Sequence, residues 1–247
     1  MVSIQGISKT FREGLSSRKV QALQRLTLEI ASGEVFGFLG PNGAGKSTSI
    51  KVLLNLIRPD DGKATILDRD VSDRRVRRQV GYLPENPYFY DYLNADELLW
   101  FGGRSSGMTA DDLRHKTPAL LERVGLLEAR KRPLRTYSKG MVQRAGLALA
   151  LIHDPAVVIL DEPMSGLDPV GRKMVGDLIL DLKHQGKTVF FSSHILNDIE
   201  RFCDRIGIIA GGRLRLVGEL DKVVPAGETL EGLFLRAIAD DFGGLPS

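Results

Sequence analysis

A glycine-rich loop between a strand-like run and a helix-like run constrains this fold more than any other feature. Residues Gly40–Ser47 read GPNGAGKS and match the pattern G-x-x-x-x-G-K-[ST]. The stretch Leu26–Gly40 indicates two short apolar strands broken at Ser32-Gly33, and from Lys46 apolar residues recur at helical spacing until Pro59. A strand, a tight loop and a helix of roughly three turns predict a phosphate-binding loop.

The residue types in this loop suit an anionic phosphate. Its glycines let successive N–H groups point inward, and the helix N-terminus adds a favourable dipole. We expect Lys46 to reach the β- and γ-phosphates and Ser47 to offer its hydroxyl to Mg²⁺, which prefers oxygen ligands. The predicted nucleotide contacts of the loop are Gly40, Pro41, Asn42, Gly43, Ala44, Gly45, Lys46, Ser47 and Thr48.

A second motif ends in two carboxylates. Residues Val157–Glu162 read VVILDE, an apolar strand whose last residues fall at the carboxyl edge of a parallel sheet, where α/β proteins place their ligands. Asp161 is predicted to hold the magnesium shell. Glu162 is predicted to orient or deprotonate an attacking water, which phosphoryl hydrolysis requires beyond positioning and charge stabilisation.

Composition excludes several other classes of protein. The 247 residues carry 34 Lys+Arg against 31 Asp+Glu, a net charge of +3 that does not favour nucleic-acid binding. The single cysteine, Cys203, excludes an internal disulfide and fits a reducing, cytoplasmic compartment. The longest apolar run, Ala145–Ile152, is too short to span a bilayer, and the N-terminus lacks the apolar stretch of a signal peptide.

The remaining pattern predicts an α/β fold with a helical insertion between about 94 and 152. Strand-like runs at 157–160 and 188–191 flank a helix-like run at 171–184, as in a parallel sheet. Gly211-Gly212 is typical of a hairpin turn between runs at 206–210 and 214–217. Leu230, Leu233, Phe234, Ala237 and Ile238 predict a short terminal helix.

The ordered motifs resemble those of the ATP-binding cassette ATPases. After the phosphate loop come Tyr137-Ser138-Lys139-Gly140-Met141, the VVILDE strand, Ser165-Gly166-Leu167-Asp168 and His194 at the end of a strand. The resemblance covers essentially the whole chain. It implies a P-loop NTPase (RecA-like) core with an antiparallel β subdomain and an inserted α-helical subdomain at about 86–154. The cassette would occupy residues 1–220, followed by a tail at 221–247 with one helix.

The resemblance also implies further site residues. In this family the signature loop of one subunit covers the ATP held by another, so a head-to-tail dimer would bring Ser138 and Gly140 to the γ-phosphate. Asp168 would couple the two sites, and His194 would contact the γ-phosphate. Phe11 would stack on adenine.

Two departures from the family pattern stand out. The common signature is Leu-Ser-Gly-Gly-Gln, whereas this chain has Tyr137, Lys139 and Met141 at three of its positions. Glu85 occupies the place of a usual glutamine that contacts magnesium. A carboxylate still supplies an oxygen ligand, and its negative charge makes the site more dependent on bound Mg²⁺.

The resemblance therefore implies an ATP-hydrolysing subunit that powers export through separate transmembrane permease subunits. It would lie on the inner face of the cell membrane, as a homodimer or as a heterodimer with a second cassette, with ATP and Mg²⁺ as cofactors. One alternative is an ATPase that serves soluble machinery such as iron-sulfur assembly. Another is a low-turnover, ATP-dependent regulatory module, against which the intact Lys46, Asp161, Glu162 and His194 argue.

Overall fold

The computed structural model describes residues 1–12, 19–225 and 227–239. Within these ranges the strands are β1 (Val2–Arg12), β2 (Lys19–Ile30), β3 (Val35–Leu39), β4 (Asp61–Ile66), β5 (Arg69–Asp70), β6 (Val80–Leu83), β7 (Val157–Asp161), β8 (Thr188–Ser193), β9 (Arg205–Ala210) and β10 (Arg213–Glu219). The α-helices are α1 (Lys46–Leu53), α2 (Arg74–Arg77), α3 (Ala95–Ser105), α4 (Ala110–Arg123), α5 (Lys139–Leu151), α6 (Pro169–His184), α7 (Leu196–Phe202), α8 (Leu220–Val223) and α9 (Leu230–Ile238). The chain divides into two compact units, Met1–Arg77 with Thr188–Ser247 and Arg78–Lys187.

The first unit, Met1–Arg77 with Thr188–Ser247, contains an antiparallel sheet and a group of mainly parallel strands. The antiparallel sheet has the order β2-β1-β4-β5. Strand β3 pairs in parallel with β8 on one side and β9 on the other, and β10 closes a hairpin with β9. Phe36 and Phe38 pack their rings on Phe190 at centroid distances of 6.0 and 5.4 Å. These fully buried rings hold β3 and β8 together, and with them the residues that follow each strand.

The second unit, Arg78–Lys187, contains the parallel pair β6 and β7 and the helices α3 to α6. Asn94 and Thr109 begin α3 and α4 with reciprocal capping boxes, which satisfy amides at each helix start. Helix α5 packs on β6 closely. A Cβ atom at Gly81 would lie 2.2 Å from the Ala150 carbonyl oxygen, so this contact requires glycine.

The predicted α/β class is confirmed, as are the strands at 157–160 and 188–191, the hairpin at Gly211-Gly212 and the helix at Leu230–Ile238. The subdomain limits of 86–154 and 1–220 stay predictions. Within the described residues, the short α8 begins at the predicted boundary of the tail, and α9 lies inside the tail. The tail also includes residues 226 and 240–247, which lie outside the described ranges.

Two local predictions differ from the structure for identifiable reasons. Helix α1 ends at Leu53, well before Pro59, because Asn55 adopts a left-handed φ of 52°. Strand β2 is longer than its apolar run. Arg25, with φ 50°, breaks the alternation of buried side chains, so that Leu23 before it and Leu26 after it are both buried. None of the helices in the described ranges is both long and apolar enough to cross a bilayer.

Candidate active site

The predicted phosphate loop follows β3 and leads directly into α1. Strand β3 is buried along its whole length, so the backbone turns sharply as it leaves the sheet at Gly40. Gly45 adopts φ 112° at the N-cap of α1, and a Cβ atom there would lie 2.7 Å from the Ala22 carbonyl oxygen. The Gly212 amide donates to the Ala44 carbonyl at 3.0 Å. Glycine at 45 is therefore required by both backbone conformation and space.

The start of α1 is suited to bind an anion. Among the described residues no side chain caps α1, and its first turn carries no acid. The side chain of Lys46 is buried and its Nζ donates to the Gly40 carbonyl at 2.6 Å, which draws the ammonium along the loop. Ser47 and Thr48 are partly exposed at the first turn. A positive helix end and an ordered ammonium in one loop fit the phosphates of a nucleotide.

His194 leaves the sheet beside the loop. Strands β3 and β8 run in parallel with Leu39 opposite Ser193, so Gly40 and His194 follow adjacent strand ends. The Ser193 hydroxyl accepts from the Ile195 amide at 2.9 Å, which fixes the turn that contains His194. The first unit thus brings the exposed His194 side chain to the sheet edge from which the loop emerges.

Phe11 lies near the end of β1, opposite Val20 of β2. Its side chain is 40% exposed, and the Lys9 ammonium lies 5.7 Å from the ring centroid. An aromatic ring that the core does not enclose is available to stack on a planar base. Strand β2 continues from Val20 to Ala22, which approaches Gly45 of the phosphate loop.

The second unit holds the predicted carboxylates at one strand edge. Strands β6 and β7 are parallel with Leu83 opposite Leu160, so Glu85 and Asp161 lie at the carboxyl ends of neighbouring strands. Asp161 is only 4% exposed, whereas Glu85 is open to solvent. Glu162 is buried and has a positive φ of 51°.

The backbone at Glu162 is constrained as well as unusual. A left-handed φ at a residue other than glycine costs about 1–3 kcal/mol and is concentrated at functional sites. Gln143 of α5 places its side-chain amide 3.5 Å from the Glu162 carbonyl and 3.4 Å from the Pro163 carbonyl. This buried amide supports the turn that directs Glu162 away from the course of β7.

The predicted signature residues and Asp168 come together in the second unit. Ser138 caps α5 by accepting from the Met141 amide at 3.2 Å, and Asp168 caps α6 by accepting from the Gly171 amide at 2.7 Å. A Cβ atom at Gly140 would lie 3.4 Å from Leu167 Cδ2. The loop that ends at Asp168 therefore packs on the first turn of α5, and its caps explain both residues locally.

The departures at 137 and 139 have distinct surroundings. Tyr137 is buried, and its hydroxyl donates to the Ala129 carbonyl at 2.9 Å. Burial raises the pKa of this phenol. Lys139 is exposed, and its aliphatic stem crosses Gly166, where a Cβ atom would lie 2.9 Å from Lys139 Cε. Position 137 is therefore part of the core, whereas position 139 lies over the loop that precedes Asp168.

Tyr82 lies in β6, near the strand end that precedes Glu85, and it is not among the predicted site residues. Burial, with a smaller contribution from the charge of Asp161, raises the pKa of Tyr82 to about 12. Its only sequence signal is its place in β6, two residues before Pro84 and on the opposite face from Leu83.

The proposed metal ligands are divided between the units. Ser47 belongs to the first, whereas Glu85 and Asp161 belong to the second. Their donor atoms are all oxygens, which fits Mg²⁺. Within the described ranges, no group of three or more His, Cys, Asp or Glu side chains is placed to hold a metal.

The chain is similar to known ATP-binding proteins of transporters. The family model for ABC transporters matches residues 23–165. An uncharacterised ABC transporter ATP-binding protein of Synechocystis is 50% identical over 91% of this chain, which spans only 64% of that protein's length. The lantibiotic transport ATP-binding protein SrtF of Streptococcus pyogenes is 36% identical, over 96% of this chain and 97% of its own.

A solved structure shows the same fold. It is the dimeric, post-hydrolysis state of an ATP-binding cassette bound to ADP and Pi, with a TM-score of 0.80 and 27% identity over 89% of this chain and 99% of that one. The mixed α/β fold is that of the P-loop NTPases, and ATPase activity is consistent with it. The chain belongs to the ABC transporter family, among its ATP-binding cassettes.

Proposed function

We propose that this chain binds and hydrolyses ATP to drive transport through separate transmembrane permease subunits. The observation that carries the proposal is the phosphate loop, in which an uncapped helix start and the Lys46 ammonium form one anion-binding surface. Glycine at 45 is required by its positive φ and by the nearby Ala22 carbonyl, so the loop keeps one backbone course into the helix start.

The residues around the loop are assigned complementary roles. Amides of the loop and Lys46 bind the phosphates, and His194 contacts the γ-phosphate from the adjacent strand end. Phe11 stacks on adenine with its exposed ring face. Ser47, Asp161 and Glu85 would hold Mg²⁺. When bound, Mg²⁺ would neutralise phosphate charge.

Glu162 is assigned as the group that orients the attacking water and accepts its proton. Its side chain is buried and its backbone is left-handed, so few orientations would be open to the carboxylate when substrate binds. Gln143 holds the backbone of the same turn. A base that is already oriented loses little entropy on reaching the transition state, which is the main requirement when phosphoryl transfer depends on positioning.

Two cassettes are proposed to close on ATP in a head-to-tail dimer. Ser138 and Gly140 would meet the γ-phosphate bound by the other subunit, and Asp168 would couple the two sites. Support comes from the packing of the Asp168 loop on the first turn of α5, since one movement would carry both. The similar solved cassette is dimeric. The partner is either a second copy or a different cassette.

Exposed aromatic residues after Glu85 are proposed as the docking surface for the permease. Tyr88 is 94% exposed, and the rings of Tyr90 and Tyr92 lie 5.7 Å apart. Phe101 of α3 is also largely exposed. Large apolar groups in one region of a surface favour a protein partner. Docking there would place the chain on the cytoplasmic face of the membrane.

Export is proposed as the direction of transport. The name of the relative SrtF refers to lantibiotic transport, and 97% of its length is matched by this chain. Nucleic acid is not expected as a partner, because the net charge is only +3.

The experiment is to trap the closed state in native membranes. A tagged Glu162→Gln variant is expressed in its source cell, ATP is added, and the complex is extracted in mild detergent for mass spectrometry. Stoichiometric recovery of a multi-span protein supports the proposal. Lys46→Ala is the matched control, because its weaker binding of ATP should reduce the amount of ATP-dependent dimer. Recovery of soluble partners alone, with no multi-span protein, would assign the chain to non-transport machinery.

A further inference from the structure

Three backbone segments of the first unit meet at the carbonyl group of Ala22. A Cβ atom at Gly45 in the phosphate loop would lie 2.7 Å from the Ala22 oxygen, and one at Gly212 would lie 2.6 Å from the same atom. Gly212 belongs to the turn between β9 and β10. Strand β2, the phosphate loop and this turn are therefore in close backbone contact, and a residue that fixes the turn against β2 can act on the loop.

Gln24 of β2 fixes the turn with both its backbone and its side chain. Its backbone amide donates to the Gly212 carbonyl at 2.8 Å, and its side-chain Nε2 donates to the Gly211 carbonyl at 2.8 Å. Its Oε1 accepts two bonds from the Arg213 guanidinium, from Nε at 2.9 Å and from Nη2 at 2.7 Å. Because a guanidinium only donates and a carbonyl only accepts, these partners determine which end of the Gln24 amide faces which residue.

The turn orients a peptide group of the phosphate loop. The Gly212 amide donates to the Ala44 carbonyl at 3.0 Å. In a planar trans peptide the C=O and N–H groups point in opposite directions, so the Gly45 amide points away from the turn. Gly45 is the N-cap of α1, and the proposed function assigns the amides of this loop to phosphate. A series of hydrogen bonds thus connects Gln24, through the turn, to a peptide that would bind the ligand.

We propose that Gln24 is a positioning residue for ATP binding, its side-chain amide holding the Gly211-Gly212 turn so that the Ala44–Gly45 peptide is oriented toward phosphate. The inference rests on the proposed function, because it assumes that the loop binds ATP. Gln24 is not among the predicted site residues, and its separation of 187 positions from Gly211 leaves no local pattern that reveals the contact. A purely structural role would lower stability and leave the loop unchanged, so the test must observe the loop.

Nuclear magnetic resonance of selectively labelled protein reports on the Gly45 amide. Alanine labelled with ¹³C at the carbonyl and glycine labelled with ¹⁵N together select the glycines that follow alanine, which in this chain are Gly45, Gly146, Gly211 and Gly227. Gln24→Met removes the side-chain amide and keeps the length of the side chain. We expect it to shift the Gly45 and Gly211 resonances without nucleotide and to leave Gly146 of α5 unmoved. An unshifted Gly45 resonance would overturn the proposal.

ATP affinity, measured by calorimetry on the same variants, gives the consequence for binding. We expect the dissociation constant of ATP to rise about 3- to 10-fold in Gln24→Met, the usual effect of losing one hydrogen bond. Gln21→Met is the matched control, because it makes the same change at an exposed position of the same strand. Equal ATP affinity in Gln24→Met and Gln21→Met would contradict the inference.

Gln24→Glu separates the two ends of the side-chain amide and keeps the proposal testable if Gln24→Met unfolds. Its carboxylate still accepts from Arg213 but has no donor for the Gly211 carbonyl. We expect a melting temperature closer to that of the unmodified chain and the same loss of ATP affinity as in Gln24→Met. Full ATP affinity in folded Gln24→Glu would exclude the Gly211 bond as the cause.

Failure of the proposed function is separately visible. If the loop does not bind ATP, the unmodified chain gives no calorimetric signal and its Gly45 resonance does not move when ATP is added. The shift of Gly45 between the unmodified chain and Gln24→Met would still be present, because it is measured without nucleotide.

Discussion

The Lys46 ammonium and the Gly40 carbonyl are joined by a hydrogen bond of 2.6 Å across the phosphate loop. This bond orders the side chain before any phosphate arrives, which reduces the entropy lost on binding. The same pairing connects the first residue of α1 to the residue that follows β3.

Replacing Lys46 by alanine is expected to weaken ATP binding about 10- to 100-fold, since a hydrogen bond to a charged group contributes about 1.5–3 kcal/mol. Titration calorimetry measures the change. Lys51→Ala is the control, because it removes an exposed lysine from the last turn of the same helix. Equal ATP affinity of Lys46→Ala and the unmodified chain would contradict the assignment of the loop.

Glu162→Gln is expected to reduce the rate of ATP hydrolysis by about 10²- to 10⁴-fold, the usual contribution of a general base. ATP affinity should be retained, because the amide has nearly the shape of the carboxylate. Single-turnover phosphate release measures the chemical step. Glu122→Gln makes the same change at an exposed position of α4 and should leave the rate unaltered. A normal rate in Glu162→Gln would exclude the proposed role.

Gly43 and Gly45 separate the effects of backbone strain and steric collision. Both have positive φ, 79° and 112°, so alanine at either should cost about 1–2 kcal/mol. Only at Gly45 would the new Cβ collide with the Ala22 carbonyl, adding about 1–3 kcal/mol, whereas Gly43 has open space. Each kcal/mol corresponds to about 2–4 °C in melting temperature for a chain of this size. Scanning calorimetry should therefore show the larger loss for Gly45→Ala, and equal losses would refute the steric argument.

His153 should make stability depend on pH. Burial lowers the pKa of His153, and this effect outweighs the opposing contribution of the contact between its Nε2 and the Val80 carbonyl at 3.2 Å. Below about pH 6.5 the unfolded chain binds a proton more readily than the folded chain does. The free energy of unfolding therefore decreases as the pH is lowered. Urea unfolding at a series of pH values checks this.

The control for His153 uses a second histidine. His153→Gln keeps an amide donor and removes the titration, so its unfolding should lose part of the decline below pH 6.5. The exposed His184→Gln should behave like the unmodified chain. An identical pH profile for His153→Gln would show that the ring is not the source of the dependence.

Much of this fold could be predicted because its turns and helix caps depend on residues that are close together in the sequence. The turn at Gly211-Gly212 and the cap at Ser138 depend on residues within a few positions of each other, and both are present. Asp168, which alone reads as a turn residue, is also the cap of α6, since Pro169 fixes the first helical φ. The roles of these residues with ATP stay predictions.

Features that depend on distant partners could not be predicted in this way. The left-handed Asn55 that ends α1 early and the Arg25 irregularity in β2 leave no periodic signal. The place of Tyr82 beside β7 could not be predicted, because it depends on the pairing of β6 with β7, two strands that are far apart in the sequence. Val80 pairs with Val157. Sequence spacing alone does not give that register.

The hydrogen bond from Tyr137 to Ala129 limits how freely the signature can be exchanged between cassettes. A chimera that carries the family's common leucine at this position would lack the donor that now bonds the partly buried Ala129 carbonyl. The first residue of the signature is thus bonded to the segment that leads into α5. Grafting the motif therefore requires grafting residues 129–137 with it.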